Sequence, residues 1–100
     1  MTYNFQAEII DTTSITLSPE IEPLIEKLAA SSHGHWAKGR ASEGVVYGEK
    51  RDDGASPPTN PCMRPYNELE DSEKEYDRRH AIETIKSLIA LGWTLTPPAP

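Results

Sequence analysis

The 100-residue sequence is poor in cysteine and has no long apolar run, and each shortage narrows the class of protein. Cys62 is the only cysteine, so an internal disulfide is excluded. The apolar stretch of a secretory signal and the longer stretch of a membrane-spanning helix are both missing. We therefore expect a cytoplasmic protein in a reducing compartment, with no membrane span.

Positive charge is also scarce. Lysine and arginine total 10 against 16 aspartate and glutamate residues, which gives a net charge of -6. A surface of this sign repels a phosphate backbone, so we do not expect general nucleic-acid binding. The hydrophobic fraction of 36% and the nine prolines predict one domain with a modest core and much loop or extended chain.

Apolar residues at steps of three and four predict a first long helix at about residues 22 to 40. Pro23 fits the first turn of this helix, and Pro19 requires a break or a 3₁₀ turn before Glu22. Trp36 follows Ala29 by seven residues and should lie near the same face. The predicted buried stripe is Ile21, Leu24, Ile25, Leu28 and Ala29.

A second long helix is predicted to open at Ser72, where Ser72-Glu73-Lys74-Glu75 has the spacing of a capping box. Gly92 is well placed to end it. The residues expected on its buried face are Tyr76, Ile82, Ile85, Leu88 and Ile89.

Between Gly39 and Tyr66 the periodicity disappears, and glycine and proline supply the turns of a long connection. A loop of this length is uncommon in a compact domain and is often functional. The predicted fold is mainly α, with two long helices and short helical turns packed around a long ordered Gly/Pro-rich loop. The predicted domain spans residues 18–93, between an extended arm or short strand within 1–17 and an extended tail at 94–100.

An ordered series of residues runs along most of the chain, from Asp11 to Trp93. It includes Leu28-Ala29, His33, Trp36-Ala37, Gly44, Tyr47-Gly48, Arg51-Asp52, Asn60-Pro61, Pro65-Tyr66, Leu69, Lys74, Asp77-Arg78 and Leu91-Gly92-Trp93. In order and spacing this series resembles the RyR domain, the repeat module named after ryanodine receptors. The resemblance implies a helical module of large calcium-release channels that also occurs in bacterial proteins, and this chain is similar to a single stand-alone copy of the bacterial type. It implies no channel activity.

Positive charge is concentrated in residues 38 to 64, which hold five basic and four acidic residues, whereas the rest of the chain holds five and twelve. Guanidinium groups pair with phosphate and aromatic faces stack on bases, so this segment could hold an anionic or nucleotide-type small molecule. In the alternative, Arg51 and Arg64 pair with carboxylates of the second helix, such as Glu68, Glu75 or Asp77, and pin the loop down, while the aromatic rings fill the core. The candidate ligand-binding residues are Trp36, Arg40, Tyr47, Arg51 and Arg64.

A structural role is expected for a second group of residues, and His33 among them should donate a hydrogen bond to a loop carbonyl. No nucleophile with a base, phosphate loop or metal-ligand cluster has a recognisable spacing, so we expect a non-catalytic module without cofactor or metal. Its function would be ligand binding or protein interaction, and the alternative is a sensor of a nucleotide-type anion. The structural candidates are His33, Gly44, Gly48, Pro61, Tyr66 and Asp77.

Overall fold

The computed structural model describes residues 2–100; Met1, the first residue of the predicted arm, lies outside the described residues. The fold is mainly helical, which confirms the prediction of two long helices and short helical turns. In chain order the elements are a 3₁₀ turn at Pro19–Ile21, helix α1 at Glu22–Ser42, strands β1 at Val46–Tyr47 and β2 at Thr59–Asn60, a 3₁₀ turn at Tyr66–Glu68 and helix α2 at Asp71–Ala90.

Proline and glycine fix three of the four helix ends. The 3₁₀ turn that Pro19 requires is present, and Pro23 occupies the first turn of α1, where its missing N–H leaves no bond unmade. Gly44 follows the end of α1 with a φ of 87°, and Gly92 follows the end of α2 with a φ of 99°. These are left-handed conformations, so glycine is the residue that ends each helix at least cost.

The capping box predicted at the start of α2 is wrong. Helix α2 begins at Asp71, Glu70 is its N-cap residue, and no side chain caps it. Ser72 therefore lies inside the first turn, and a Glu75 carboxylate oxygen lies 3.5 Å from Nη1 of Arg78 instead of bonding back to the serine. The acidic residues in this first turn interact favourably with the positive end of the helix dipole, which stabilises the helix start without a serine cap.

The two helices run antiparallel and form a small core. Ile25 of α1 packs with Ala81 and Ile85 of α2, and the partly buried residues around them are Leu17, Ile21, Ile82 and Ile89. Ala29 is completely buried, but within residues 2–100 no large side chain is. The core therefore holds the helices together through a narrow strip of small and medium-sized side chains.

Two residues of the predicted stripe on α2 are not buried: Tyr76 is 63% exposed and Leu88 is 46% exposed. At 3.6 residues per turn, Tyr76 lies about 140° around the helix from Ala81, away from the buried core. Leu88 lies about 60° from Ile85 on the side away from Ile89, so it falls at the rim of the contact. The buried face of α2 is thus narrower than the apolar pattern suggests.

Strands β1 and β2 form a short parallel pair in which Val46 lies opposite Thr59. Thr59 also exchanges two backbone hydrogen bonds of 3.0 Å with Asp52. A Cβ atom on Gly48 would lie 2.6 Å from Cβ of Thr59, so this approach of the two segments requires glycine at position 48. The packing of the Gly/Pro-rich loop as a whole stays a prediction.

Residues 2 to 11 form neither helix nor strand. Tyr3, Phe5 and Ile9 are almost fully exposed, so their alternation does not mark a buried side of the arm. The first described contact of the arm with α2 is at Thr12, whose Oγ1 donates to Oε2 of Glu83 over 2.7 Å. Residues 93 to 100 are likewise without helix or strand, and within residues 2–100 neither helix has the length and apolarity to cross a membrane.

The narrow buried face of α2 can be tested by shortening one residue inside it and one at its rim. We expect Ile85→Ala to lower the free energy of unfolding by about 2–4 kcal/mol, because it removes buried methyl groups and leaves a cavity. Leu88→Ala should lower it by less than about 1 kcal/mol, since that side chain is largely in water already. Urea denaturation followed by circular dichroism measures both values, and equal losses would contradict the assigned face.

Candidate functional site

A cleft of about 350 Å³ opens between the two helices beyond the core, and we call it the interhelical cleft. Helix α1 contributes residues three positions apart, and the first turns of α2 contribute residues three and four apart, so each set lies on one helical face. Leu69 and Cys62, which precede α2, complete the walls. The lining residues are His33, Trp36, Cys62, Leu69, Ser72, Glu73, Tyr76 and Asp77.

His33 anchors the loop and supports one wall of the cleft. Its side chain is buried, and Nε2 donates to the carbonyl oxygen of Arg64 over 2.7 Å, which is the loop-carbonyl contact expected from the sequence. The ring stacks on Trp36, with centroids 5.6 Å apart and planes 26° apart. Trp36 is therefore positioned by a buried ring that is itself fixed to the loop.

Glu73 connects the cleft to the loop. Sγ of Cys62 donates to one Glu73 carboxylate oxygen over 2.8 Å, and Nη2 of Arg64 lies 3.7 Å from the other. Burial and then the neighbouring Glu73 carboxylate raise the pKa of the Cys62 thiol to about 11. At neutral pH this cysteine is a protonated hydrogen-bond donor and a poor nucleophile.

Asp77 is the second carboxylate of the cleft, and it takes part in no side-chain hydrogen bond or ion pair within residues 2–100. Burial raises the pKa of Asp77, nearby charge on His33 and His80 lowers it, and Glu73 raises it. None of the eight lining residues is lysine or arginine. The cleft is consequently negative, in contrast to the positive site that the loop arginines suggested.

Below the cleft, a cluster of polar contacts joins α1, α2 and the second 3₁₀ turn. The Glu26 carboxylate accepts from Nε of Arg78 over 2.7 Å and from its Nη2 over 3.0 Å, and it also accepts from the Tyr66 hydroxyl over 3.0 Å. These hydrogen bonds stabilise the charged form of Glu26 and so lower its pKa, and the bond from Arg78 has the largest effect. Tyr66 thus has a position in the helix junction, in line with the structural role expected for it.

The structure does not bring the five candidate ligand-binding residues together. Trp36 lines the interhelical cleft, whereas Arg64 lines a neighbouring groove beside α1 that shares His33 with the cleft. Arg40 pairs with Glu43 at 2.9 Å, within one turn of the helix end. Tyr47 is exposed on β1, apart from these contacts.

Arg64 lies beside a carboxylate of the second helix, as the alternative expects, although the acid is Glu73, whereas Arg51 pairs within the loop. Arg51 donates through Nε and Nη2 to Asp53, two residues further on, over 3.2 and 3.1 Å. Arg64 lies next to Glu73, and its Nε atom is buried without a partner in residues 2–100. A nearby carboxylate in the chain costs the least side-chain entropy to reach, which explains the pairing of Arg51.

Of the remaining structural candidates, Pro61 is half-buried directly after β2, and Asp77 lies in the cleft. The residues missed by sequence reasoning are Glu26, Cys62 and Glu73. Glu26 and Arg78 are separated by 52 positions, so no local pattern connects them. The residues that carry the family resemblance do include Asp77-Arg78. In the structure Asp77 lines the cleft, and Arg78 donates to Glu26.

These features define a small module of two antiparallel helices with a cleft between them and a loop fastened to α1. A family model of the RyR domain matches residues 5–97, and the chain belongs to the RyR domain family. The match takes in most of the N-terminal arm and part of the C-terminal tail. The boundaries at residues 18 and 93 stay a prediction.

The junction at Glu26 predicts a pH dependence of stability. Since its pKa is lower in the folded chain than the ordinary value of 4.5, Glu26 stabilises the fold above that pH, and this contribution is lost as the pH falls through the folded pKa. Glu26→Gln should lower the urea midpoint at pH 7 and flatten its fall in acid. Glu75→Gln is the matched control, because it removes a single 3.5 Å contact to the same arginine. It should change the urea midpoint at pH 7 and the fall of that midpoint in acid by less. Identical pH profiles for wild type and Glu26→Gln would contradict the assignment.

Proposed function

We propose that this RyR domain is a non-catalytic protein-interaction module, located in the cytoplasm, whose partner covers apolar surface that the helix pair leaves open. The observation that carries the proposal is the total exposed surface, which includes the large apolar side chains of Tyr76, Leu88 and Leu91. The accessible area is 8113 Å² for a chain of 11.1 kDa. A compact monomer of that mass exposes about 5,700 Å².

The arm and the tail are exposed, and so are the large apolar side chains of Tyr76 and Leu88 on α2 and of Leu91 directly after it. Tyr76, His80, Thr84, Leu88 and Leu91 follow one another at steps of four and three residues and line one groove of about 470 Å³. We call this stripe the outer face of α2. An apolar stripe bordered by Arg79 and Glu83 is the kind of surface that proteins use to bind one another.

The pairing of the loop arginines favours this function over sensing of a nucleotide-type anion. Arg40, Arg51 and Arg64 each lie beside a carboxylate. A phosphate that binds these arginines would have to compete with three separate carboxylates. The raised pKa of Cys62 supports the non-catalytic part of the proposal, because the one thiol in the cleft is protonated at neutral pH.

Photo-crosslinking in the native cells, combined with a ligand screen, tests the proposal. A photoreactive p-benzoylphenylalanine at position 91 should give a discrete crosslinked protein, and the same group at position 49, an exposed loop site, should not. Leu88→Asp should reduce the crosslink at position 91 by about tenfold or more, since a charge on a binding surface costs at least about 1.4 kcal/mol. A panel of nucleotides at millimolar concentration should leave the melting temperature unchanged.

The opposite pattern would contradict the proposal. It consists of no crosslink at position 91 above that at position 49, together with a nucleotide that raises the melting temperature of wild type but not of Arg51→Ala. That pair of results would assign the domain to anion sensing.

A further inference from the structure

The interhelical cleft is lined by carboxylates and aromatic rings, and apolar docking on the outer face of α2 does not account for them. Its walls carry the carboxylates of Glu73 and Asp77 and the rings of Trp36 and Tyr76, and no lysine or arginine lines it. A negative charge entering this space would meet two carboxylates. A positive charge would meet two acceptors and two aromatic rings.

The two carboxylates differ in how far the chain satisfies them. Glu73 accepts from Cys62 and lies within 3.7 Å of Arg64. Asp77 is half-buried and receives no hydrogen bond from residues 2–100. A carboxylate that is partly withdrawn from water and has no donor is destabilised, and an incoming N–H group would relieve this.

The aromatic walls suit a cation as well. Trp36 keeps 38% of its surface exposed although the buried His33 ring holds it in place, and Tyr76 is more exposed still. The face of an aromatic ring attracts ammonium and guanidinium groups. The chain already contains one such contact, since Nζ of Lys74 lies 5.8 Å from the centre of the Tyr66 ring.

We propose that the interhelical cleft binds the ammonium or guanidinium group of a lysine or arginine side chain, with Asp77 as the acceptor and Trp36 and Tyr76 as the flanking rings. This inference rests on the proposed function, because the basic side chain belongs to the protein partner. Tyr76 also lines the outer face of α2, so one partner can contact both surfaces. Outside residues 38 to 64 the chain carries five basic and twelve acidic residues, which attracts a basic partner.

Two-dimensional NMR of the full ¹⁵N-labelled chain tests the inference with defined probes. N-acetyl-arginine amide and N-acetyl-lysine amide should shift the indole N–H signal of Trp36 in a saturable way at millimolar concentration. The indole of Trp93, which is 70% exposed and does not line the cleft, is the internal reference and should not shift. The neutral N-acetyl-norleucine amide and the anion AMP should have no saturable effect.

Two variants separate the charge in the cleft from the net charge of the chain. Asp77→Asn should weaken binding of the arginine amide by about tenfold, the equivalent of about 1.4 kcal/mol. Glu49→Gln makes the same change in net charge at an exposed loop position outside the cleft and should leave the affinity unchanged. An unaltered spread of amide signals shows that each variant is folded.

Any of several results would overturn the inference. One is no shift of Trp36 with either basic amide, another is an equal shift with norleucine amide, and another is an unchanged affinity of Asp77→Asn. A further one is binding of agmatine, the free amine with the same guanidinium, at concentrations about a hundredfold lower than the amide, which would assign the cleft to a free amine. Crosslinking at position 91 does not depend on these titrations, so the loss of the cleft site and the loss of the protein partner are distinguishable.

Discussion

Helices α1 and α2 are held together by a core of very few side chains, and most other properties of the domain follow from its small size. Ile25, Ala81 and Ile85 form its centre. Burying an isoleucine side chain contributes about 1.5–3 kcal/mol, and alanine contributes less. The polar contacts of Glu26 with Arg78 and Tyr66 favour one orientation of the helices, but partly exposed ion pairs contribute little to the free energy of unfolding.

The same constraint shapes the candidate site. Next to the core, α1 and α2 are close enough for the two helices to share buried aliphatic side chains. Further along, the facing residues are His33 and Trp36 on one helix and Glu73, Tyr76 and Asp77 on the other, and they leave a cleft. Rings and carboxylates cannot fill such a space without cost, so the cleft remains polar and open, with the loop fastened beside it through Arg64.

The helices could be predicted because their signals are local. Proline at positions 19 and 23 and glycine at positions 44 and 92 act on the adjacent backbone, and the predicted limits of α1 differ from the observed ones by two residues at one end. The cap spacing of Ser72 predicts a start of α2 at that serine, whereas Glu70 is the N-cap residue and the helix begins at Asp71. Tyr76 and Leu88 were misplaced because an apolar pattern shows amphipathicity but not the width of the partner helix.

The candidate site was less predictable, since it depends on pairs that are distant in sequence. The loop arginines were grouped by charge, but Arg40 and Arg51 pair with acids two or three residues away. The bond between Glu26 and Arg78 spans 52 positions, and the contact of Cys62 with Glu73 crosses from loop to helix. Only the fold brings these residues together. His33 and Trp36 are the exceptions, because they are close on one helix and belong to the family spacing.

Partner binding as proposed here depends on an open molecule in which the arm, the helix pair and the tail leave surface exposed, and small-angle X-ray scattering tests how open the single chain is. The radius of gyration of the structure is 17.0 Å, whereas a compact domain of 100 residues has about 13 Å. We expect a value near 17 Å at a forward-scattering mass of 11.1 kDa, that of a single chain. A monomer that measures about 13 Å would show that the chain folds back onto itself, which would contradict the open molecule described here.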